Sequence, residues 1–522
     1  MSSKIVKSVS TIGAMTLLSR VSGLIRDVLF ANLLGDKMAA DVFLVAFRVP
    51  NFFRRIFAEG AFSAAFVPIF TEYRMHKTES ESQQFLQLLL GRFTLILILF
   101  SMAGVFFAPA LITVLAPGFL ADPQKYELTV LATRITFPYL FFISLVAASA
   151  GMLNTCGRFA APAATPVLLN ISLILAALFF VPYFSHAPIA LSVGVLLAGF
   201  VQLIFQYPFL KKEKLTIKPR LLAKEGDEIG NEGVKKVFKL ILPAAFGVSV
   251  AQVNVLINTL LASFLVTGSI SWLYYSDRLM EFPVGVFGIA LSTAILPDLS
   301  RKYTDRSIQA FSGTLDWAAR WVFLICIPST VGLIVLSQPM IATIYYHGDF
   351  TANGVMMSSA SLVAFSFGLT AIVMVKVLAP GFYARQNTKK PVQIGMIAVG
   401  INILMSLALV YPLKHVGLAL ATSIAAFCNA ALLYFSLRKE KVYVPGKGWP
   451  LFFVKIVVAA AMMGAIIWWM KSEPEQWLTM SIWSRSAELS ALIASGGSVY
   501  LVGLYLMGVD FASMWRSKGV ES

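Results

Sequence analysis

Long apolar runs separated by short polar connections dominate the chain. A helix rises about 1.5 Å per residue, so about 20 apolar residues cross a hydrocarbon core of about 30 Å. Runs near that length lie at residues 9–34, 40–69, 86–116, 128–153, 160–183, 188–210, 237–265, 270–299, 314–337, 355–380, 391–412, 415–437, 451–470 and 489–509. They predict about fourteen transmembrane helices in an all-α polytopic membrane protein. Composition agrees: 58% of the 522 residues are hydrophobic and 13% charged, where a soluble domain has roughly 25% charged residues. The first run follows Lys4 and Lys7 as in a signal peptide. Because Arg20 and Arg26 interrupt it and no small-residue cleavage site follows, a retained first helix is expected.

The formal net charge of +16 raises the question of nucleic acid. With the N-terminus inside, however, the cytoplasmic connections carry most of the Lys and Arg, notably from Lys211 to Lys239, and the outer connections around Pro182 and Gly268 carry none. That is the positive-inside pattern of a membrane protein, so the expected partner is membrane and not nucleic acid. Both termini are then cytoplasmic. Cys156, Cys326 and Cys428 show no spacing pattern, and His76, His186, His347 and His415 read as single surface histidines. Nothing in these patterns calls for a metal or a cofactor.

An internal repeat organises the chain. AFSAAFVP at 61–68 recurs as ALSTAILP at 290–297, and LKKEK at 210–214 recurs as LRKEK at 437–441. Two six-helix lobes follow, residues 1–230 and 231–441. Because six is even, both enter from the same side, as a parallel pseudo-twofold repeat with a site expected at its interface. Two C-terminal helices in 442–522 have no counterpart in the repeat.

Charge inside the apolar spans is the candidate chemistry. The first two spans contain Arg20, Arg26, Asp27, Asp41, Arg48, Arg54, Arg55 and Glu59, and the eighth contains Asp277, Arg278 and Glu281. An Arg or Asp at the centre of a membrane helix costs about 2.5 to 3.5 kcal/mol on insertion scales, so it usually faces a cavity or an opposite charge. Asp41, Arg48 and Arg55 are spaced by seven and should form one stripe, with Glu59 one turn further. Arg20 and Asp27 share a face while Arg26 points elsewhere, and Arg48 aligns within one residue with Asp277 and Arg278 in the repeat. Arg320, Lys376 and Lys455 sit near span ends, where snorkelling accounts for them. Pro50, and Pro283 with Gly285 and Gly288, mark bends in the two charged spans.

Five arginines against three carboxylates in the first two spans favour an anion, and the guanidinium fork matches phosphate. No Walker or Rossmann fingerprint is present. The driving force must then come from the substrate gradient, the membrane potential or a coupled ion that the sequence does not name.

Four runs carry a family resemblance: RVSGLIRD (20–27), PNFFRRIFAEGAFSAAFVP (50–68), YYSDRLMEFPVGVFGIAL (274–291) and VKVLAPGFYARQ (375–386). The chain resembles, over essentially its whole length, the MurJ (MviN) lipid II flippases of the multidrug/oligosaccharidyl-lipid/polysaccharide exporter superfamily. The resemblance implies two lobes around a V-shaped cavity. It also implies that Arg20, Arg26, Arg54 and Arg278 are essential cavity arginines and that Arg48 stands at a basic position, while Arg55 joins the candidate binding set by its mid-span depth. Asp27, Asp41, Glu59, Asp277 and Glu281 match acidic positions concerned with gating or arginine orientation. The C-terminal helices would form a groove for the polyprenyl tail. The implied activity is alternating-access flipping of lipid II, an undecaprenyl-pyrophosphate-linked disaccharide-pentapeptide, across the bacterial inner membrane, with cell-wall synthesis machinery as a candidate partner.

Three rivals remain at this point. A flippase for another polyprenyl-pyrophosphate-linked glycan has the same phosphate chemistry. A cation-coupled drug exporter of the same superfamily would want a negative cavity. A membrane glycosyltransferase would need an ordered outer catalytic loop, and the connection at 471–488 is short and lacks a recognisable catalytic set, so no enzyme is expected.

Overall fold

The computed structural model describes residues 3–55 and 62–509, which are helical with short connections and contain no strand. The chain divides into two compact units at Gly268 and Ser269. The first unit contains α1 (Ser3–Leu34), α2 (Met38–Arg54), α3 (Phe62–His76), α4 (Glu79–Phe106), α5 (Ala108–Leu115), α6 (Pro123–Thr136), α7 (Tyr139–Thr155), α8 (Ala160–Phe179), α9 (Ala187–Lys212) and α10 (Glu228–Ser263). The second contains α11 (Ser269–Pro283), α12 (Ile289–Thr304), α13 (Ile308–Val335), α14 (Ser337–Tyr345), α15 (Ala352–Phe367), α16 (Leu369–Leu378), α17 (Pro380–Tyr383), α18 (Lys389–Lys439), α19 (Trp449–Met470), α20 (Gln476–Thr479) and α21 (Ile482–Leu506).

Among the described residues ten helical segments are long and apolar enough to cross a membrane, so the expected count of fourteen is not reproduced. Two reasons are local. α2 has only 17 residues before the chain enters 56–61, outside the described residues. The expected spans 391–412 and 415–437 form the single element α18, broken only at Lys414, whose φ is +52°.

Sequence spacing builds the first unit's core. Phe62, Phe66 and Phe70 recur every four residues and so share one face of α3. Their rings stack at 5.1 and 5.3 Å, and Phe93 and Phe85 of α4 complete the column against Phe62 and Tyr73 at 4.6 and 4.5 Å. α4 starts at a capping box, in which Thr78 accepts from the Glu81 N–H and the Glu81 carboxylate accepts from the Thr78 N–H.

α10 belongs to this first core, although the repeat assigns it to the second lobe. Val234 and Val237 pack into the aromatic cluster, the Tyr73 hydroxyl donates to the Ile229 carbonyl, and Arg92 donates to Asn231 at 2.8 Å. By packing, the first compact unit runs to residue 268. The second unit treats α19 comparably, docking it on α13. The repeat also preserves an ion pair: Arg158–Glu213 and Arg385–Glu440 each span 55 residues and each close to 2.7 Å.

Pro283 is followed by a π-helical turn, Val284–Gly288, between α11 and α12. Such turns insert an extra residue per turn and occur often at functional positions. Pro50 lies inside α2, which continues four residues beyond it.

Candidate functional site

The charged residues of the first unit do not form one uniform stripe. Arg26 is buried at 7% exposure and grips its neighbour Asp27, Nε at 3.0 Å and Nη2 at 2.7 Å from Oδ1. Adjacent residues on a helix point about 100° apart, yet the length of the arginine side chain lets it fold back. Sequence spacing that sends Arg26 away from Asp27 is therefore corrected by rotamer choice. Asn170 of α8 accepts from Arg26 Nη1 at 2.9 Å and donates to the Ser19 carbonyl and the Ser22 hydroxyl. The ion pair is thereby held between α1 and α8. Arg20 lies half-buried, nearly two turns before it.

Arg48 and Arg55 do share a face, and α10 is what they meet. Arg48 donates to the hydroxyl of Thr259, and Arg55 donates to the Gln252 side-chain carbonyl at 3.1 Å. The partners are spaced by seven in the reverse direction, as two antiparallel helices require. Arg54 turns back on Asn51, with Nε at 2.9 Å from Oδ1. Glu59 lies outside the described residues.

Asp41 departs from this stripe. It is 1% exposed and accepts from Lys125 Nζ at 2.9 Å and from the Gly268 N–H at 2.8 Å. A buried ammonium and a backbone amide thus meet this carboxylate. The sequence spacing that groups Asp41 with Arg48 and Arg55 is correct for helix phase and misses the partner.

In the second unit, Arg278 pairs with Glu281 one turn ahead at 3.0 Å and lies 6.0 Å from the centroid of the Tyr274 ring. Both members are partly exposed, and Asp277 is half-buried between them and Tyr275 in sequence. The π-helical turn begins immediately after this set.

Residues not singled out in the sequence prove central to its support. Lys125 signals itself only as a cation in an outer connection otherwise poor in them, and Asn170 as an amide inside an apolar span. Arg320 is tied to a carboxylate: it binds Asp316 at 2.9 Å and lies 5.0 Å from the Trp449 ring centroid. His415 is not a surface histidine. It is 4% exposed, 5.0 Å from the Trp272 ring and 3.2 Å from the Met357 carbonyl, because the break at Lys414 turns it inward.

Of the guanidinium groups in the candidate set, Arg26 and Arg278 meet carboxylates, and Arg48, Arg54 and Arg55 donate to neutral side chains. A family model described as "Lipid II flippase MurJ" matches residues 30–488. The chain belongs to the MurJ family. A Haemophilus influenzae relative, named "Probable lipid II flippase MurJ", is 45% identical over 95% of this chain and 98% of its own. The "Lipid II flippase MurJ" of Burkholderia cenocepacia is 37% identical over 98% and 99%. The solved structure "Lipid II flippase MurJ, inward closed conformation" matches with a TM-score of 0.80 and 28% identity over 97% of this chain and 99% of that one. An inward-facing multidrug MATE transporter of the MOP superfamily, at a TM-score of 0.66 and 15% identity, shares the fold. The MurJ-family chain is thus an all-α, multi-pass membrane protein of the transporter type.

Proposed function

We propose that this MurJ-family protein flips lipid II from the cytoplasmic to the periplasmic leaflet of the bacterial inner membrane by alternating access, with both termini in the cytoplasm. The observation that carries the reading is similarity to relatives named for that activity over nearly the full length of both chains. Its chemistry is supported by the excess of arginine over carboxylate in the charged helices. Arg20, Arg26, Arg48, Arg54, Arg55 and Arg278 would bind the pyrophosphate, and 442–522 would hold the lipid tail beside lobes 1–230 and 231–441.

Substrate release must not strand buried positive charge. Asp27 against Arg26 and Glu281 against Arg278 would serve that purpose in the empty site. Asp277 and Glu59 are assigned the same role by sequence. Asp41, already committed to Lys125, acts instead in gating. The protein is read as a transporter and not as an enzyme, with cell-wall synthesis machinery downstream of it.

The test is exposure of lipid II on the outer face of cells depleted of their own flippase. Wild-type protein restores exposure and the Arg54→Ala variant does not. If neither restores it although both reach the membrane, the substrate is another polyprenyl-linked glycan.

A further inference from the structure

Lys125 breaks three local rules at once. It lies in the first turn of α6, two residues after Pro123, where the helix dipole disfavours a cation. It is 4% exposed, although an isolated buried ammonium carries a large desolvation penalty. It stands in an outer connection, where the chain is otherwise sparing with positive charge. Helix stability and topology both argue against lysine here, so its reason lies in what it touches.

Its ammonium touches three groups. Nζ is 2.9 Å from Asp41 Oδ2 on α2, 3.2 Å from the Thr267 hydroxyl and 4.1 Å from the Phe119 ring centroid. The same Asp41 oxygen accepts the Gly268 N–H at 2.8 Å. Thr267 and Gly268 are the last residues of the first unit, and α11, which carries Asp277, Arg278 and Glu281, starts at the next residue. Gly268 has φ +102°, a conformation that suits glycine. A second contact secures the same region: the Gly118 N–H donates to the Ser263 hydroxyl at 3.1 Å, and a Cβ on Gly118 would fall 2.1 Å from the Ser263 carbonyl oxygen. The turn 117–121 thus holds the end of α10 while Lys125 holds the residues after it.

We propose that Lys125 is a positioning residue for transport: it clasps Asp41 to Thr267 and Gly268, and turnover requires this clasp to form and release at the point where the chain leaves the first unit. The proposal rests on the transport reading for its assay of turnover, but the clasp itself does not depend on which lipid is carried. Among the described residues Lys125 touches none of the arginine set, and the clasp gives it no contact with substrate. Its loss should therefore alter the rate of the conformational step and leave substrate affinity alone.

The experiment uses the full chain in proteoliposomes, with Cys156, Cys326 and Cys428 replaced by Ala and the buried Ala262 at the end of α10 changed to Cys as a reporter. Lys125→Met removes the ammonium that joins Asp41 to Thr267, so labelling of the reporter by a membrane-impermeant maleimide is expected to be about tenfold faster or more. In the same protein, flipping of lipid II should fall about tenfold or more while its binding changes less than about twofold. Asp41→Asn should behave alike. The double variant removes both charges and keeps an acceptor for the Gly268 N–H, so it should be closer to wild type than either single change.

Labelling unchanged in Lys125→Met overturns the clasp, whatever the substrate. Equal losses of binding and flipping overturn the positioning role and make Lys125 part of the binding site. A clasp that opens as expected in a protein that moves no lipid II at all, wild type included, refutes the substrate reading alone. Should Lys125→Met not fold, the charge-balanced double variant carries the same labelling test, and additive damage in it overturns the proposal.

Discussion

Asp316 offers a quantitative test of how the C-terminal helices are attached. Its Oδ1 accepts from the Tyr443 hydroxyl at 3.1 Å, the Gly446 N–H at 3.0 Å and the Trp449 indole N–H at 2.6 Å, while Oδ2 accepts from Arg320 Nε. Arg320 in turn donates to the Lys447 carbonyl at 2.9 Å. The carboxylate therefore holds both sides of the connection that leads into α19. A hydrogen bond to a charged group contributes about 1.5 to 3 kcal/mol, but bonds sharing one carboxylate are not additive. Asp316→Ala is expected to cost about 3 to 5 kcal/mol, the loss seen when one partner of a buried pair is removed. Asp316→Asn keeps Oδ1 and should cost about 1 to 2 kcal/mol. At about 1.4 kcal/mol per decade, the alanine variant should open the connection a hundredfold to a few thousandfold more often. Trypsin cleavage after Lys447 reads that population when reclosing outpaces cleavage. Cleavage within about threefold of wild type would refute the reasoning, because it would mean that Asp316 contributes almost nothing to docking α19.

Other outcomes follow from the same geometry. Burial, reinforced by the charge of Asp316, raises the Tyr443 pKa above its ordinary value. The neutral phenol is the form that donates to Asp316, so docking is fully present below about pH 10 and weakens as pH rises through the raised native value. Protease protection at Lys447 should fall in that window, and Tyr443→Phe should abolish the dependence. Gly91→Ala would put a Cβ 2.2 Å from the Arg220 carbonyl oxygen, so it should lower thermal stability by about 1 to 3 kcal/mol or detach 215–227 from α4. Asp27→Ala removes the carboxylate that the buried Arg26 grips and should lower stability by about 3 to 5 kcal/mol, with Asn170→Ala milder. Arg385→Ala breaks a partly exposed pair at a helix end and should shift stability by no more than about 1 kcal/mol by thermal unfolding.

The apolar runs, the positive-inside bias and the two repeated segments were enough to give an all-helical membrane protein with a duplicated plan, because burial in lipid imposes composition residue by residue. The four long motifs were enough to reach the family. Helix phase placed Arg48 and Arg55 on one face correctly, since a seven-residue spacing is nearly two turns in any α-helix. What phase cannot supply is the identity of the helix opposite. α10 faces that stripe with Gln252 and Thr259, and it packs with the first unit although the repeat counts it with the second. Likewise, Asp41 is a charge in an apolar span by sequence, and only tertiary structure brings Lys125, 84 residues away, to neutralise it. Long flexible side chains add a further freedom: Arg26 reaches back to Asp27 across the angle that separates their Cβ atoms. Periodicity is a property of one helix, whereas ion pairing and docking are decided by which helices become neighbours.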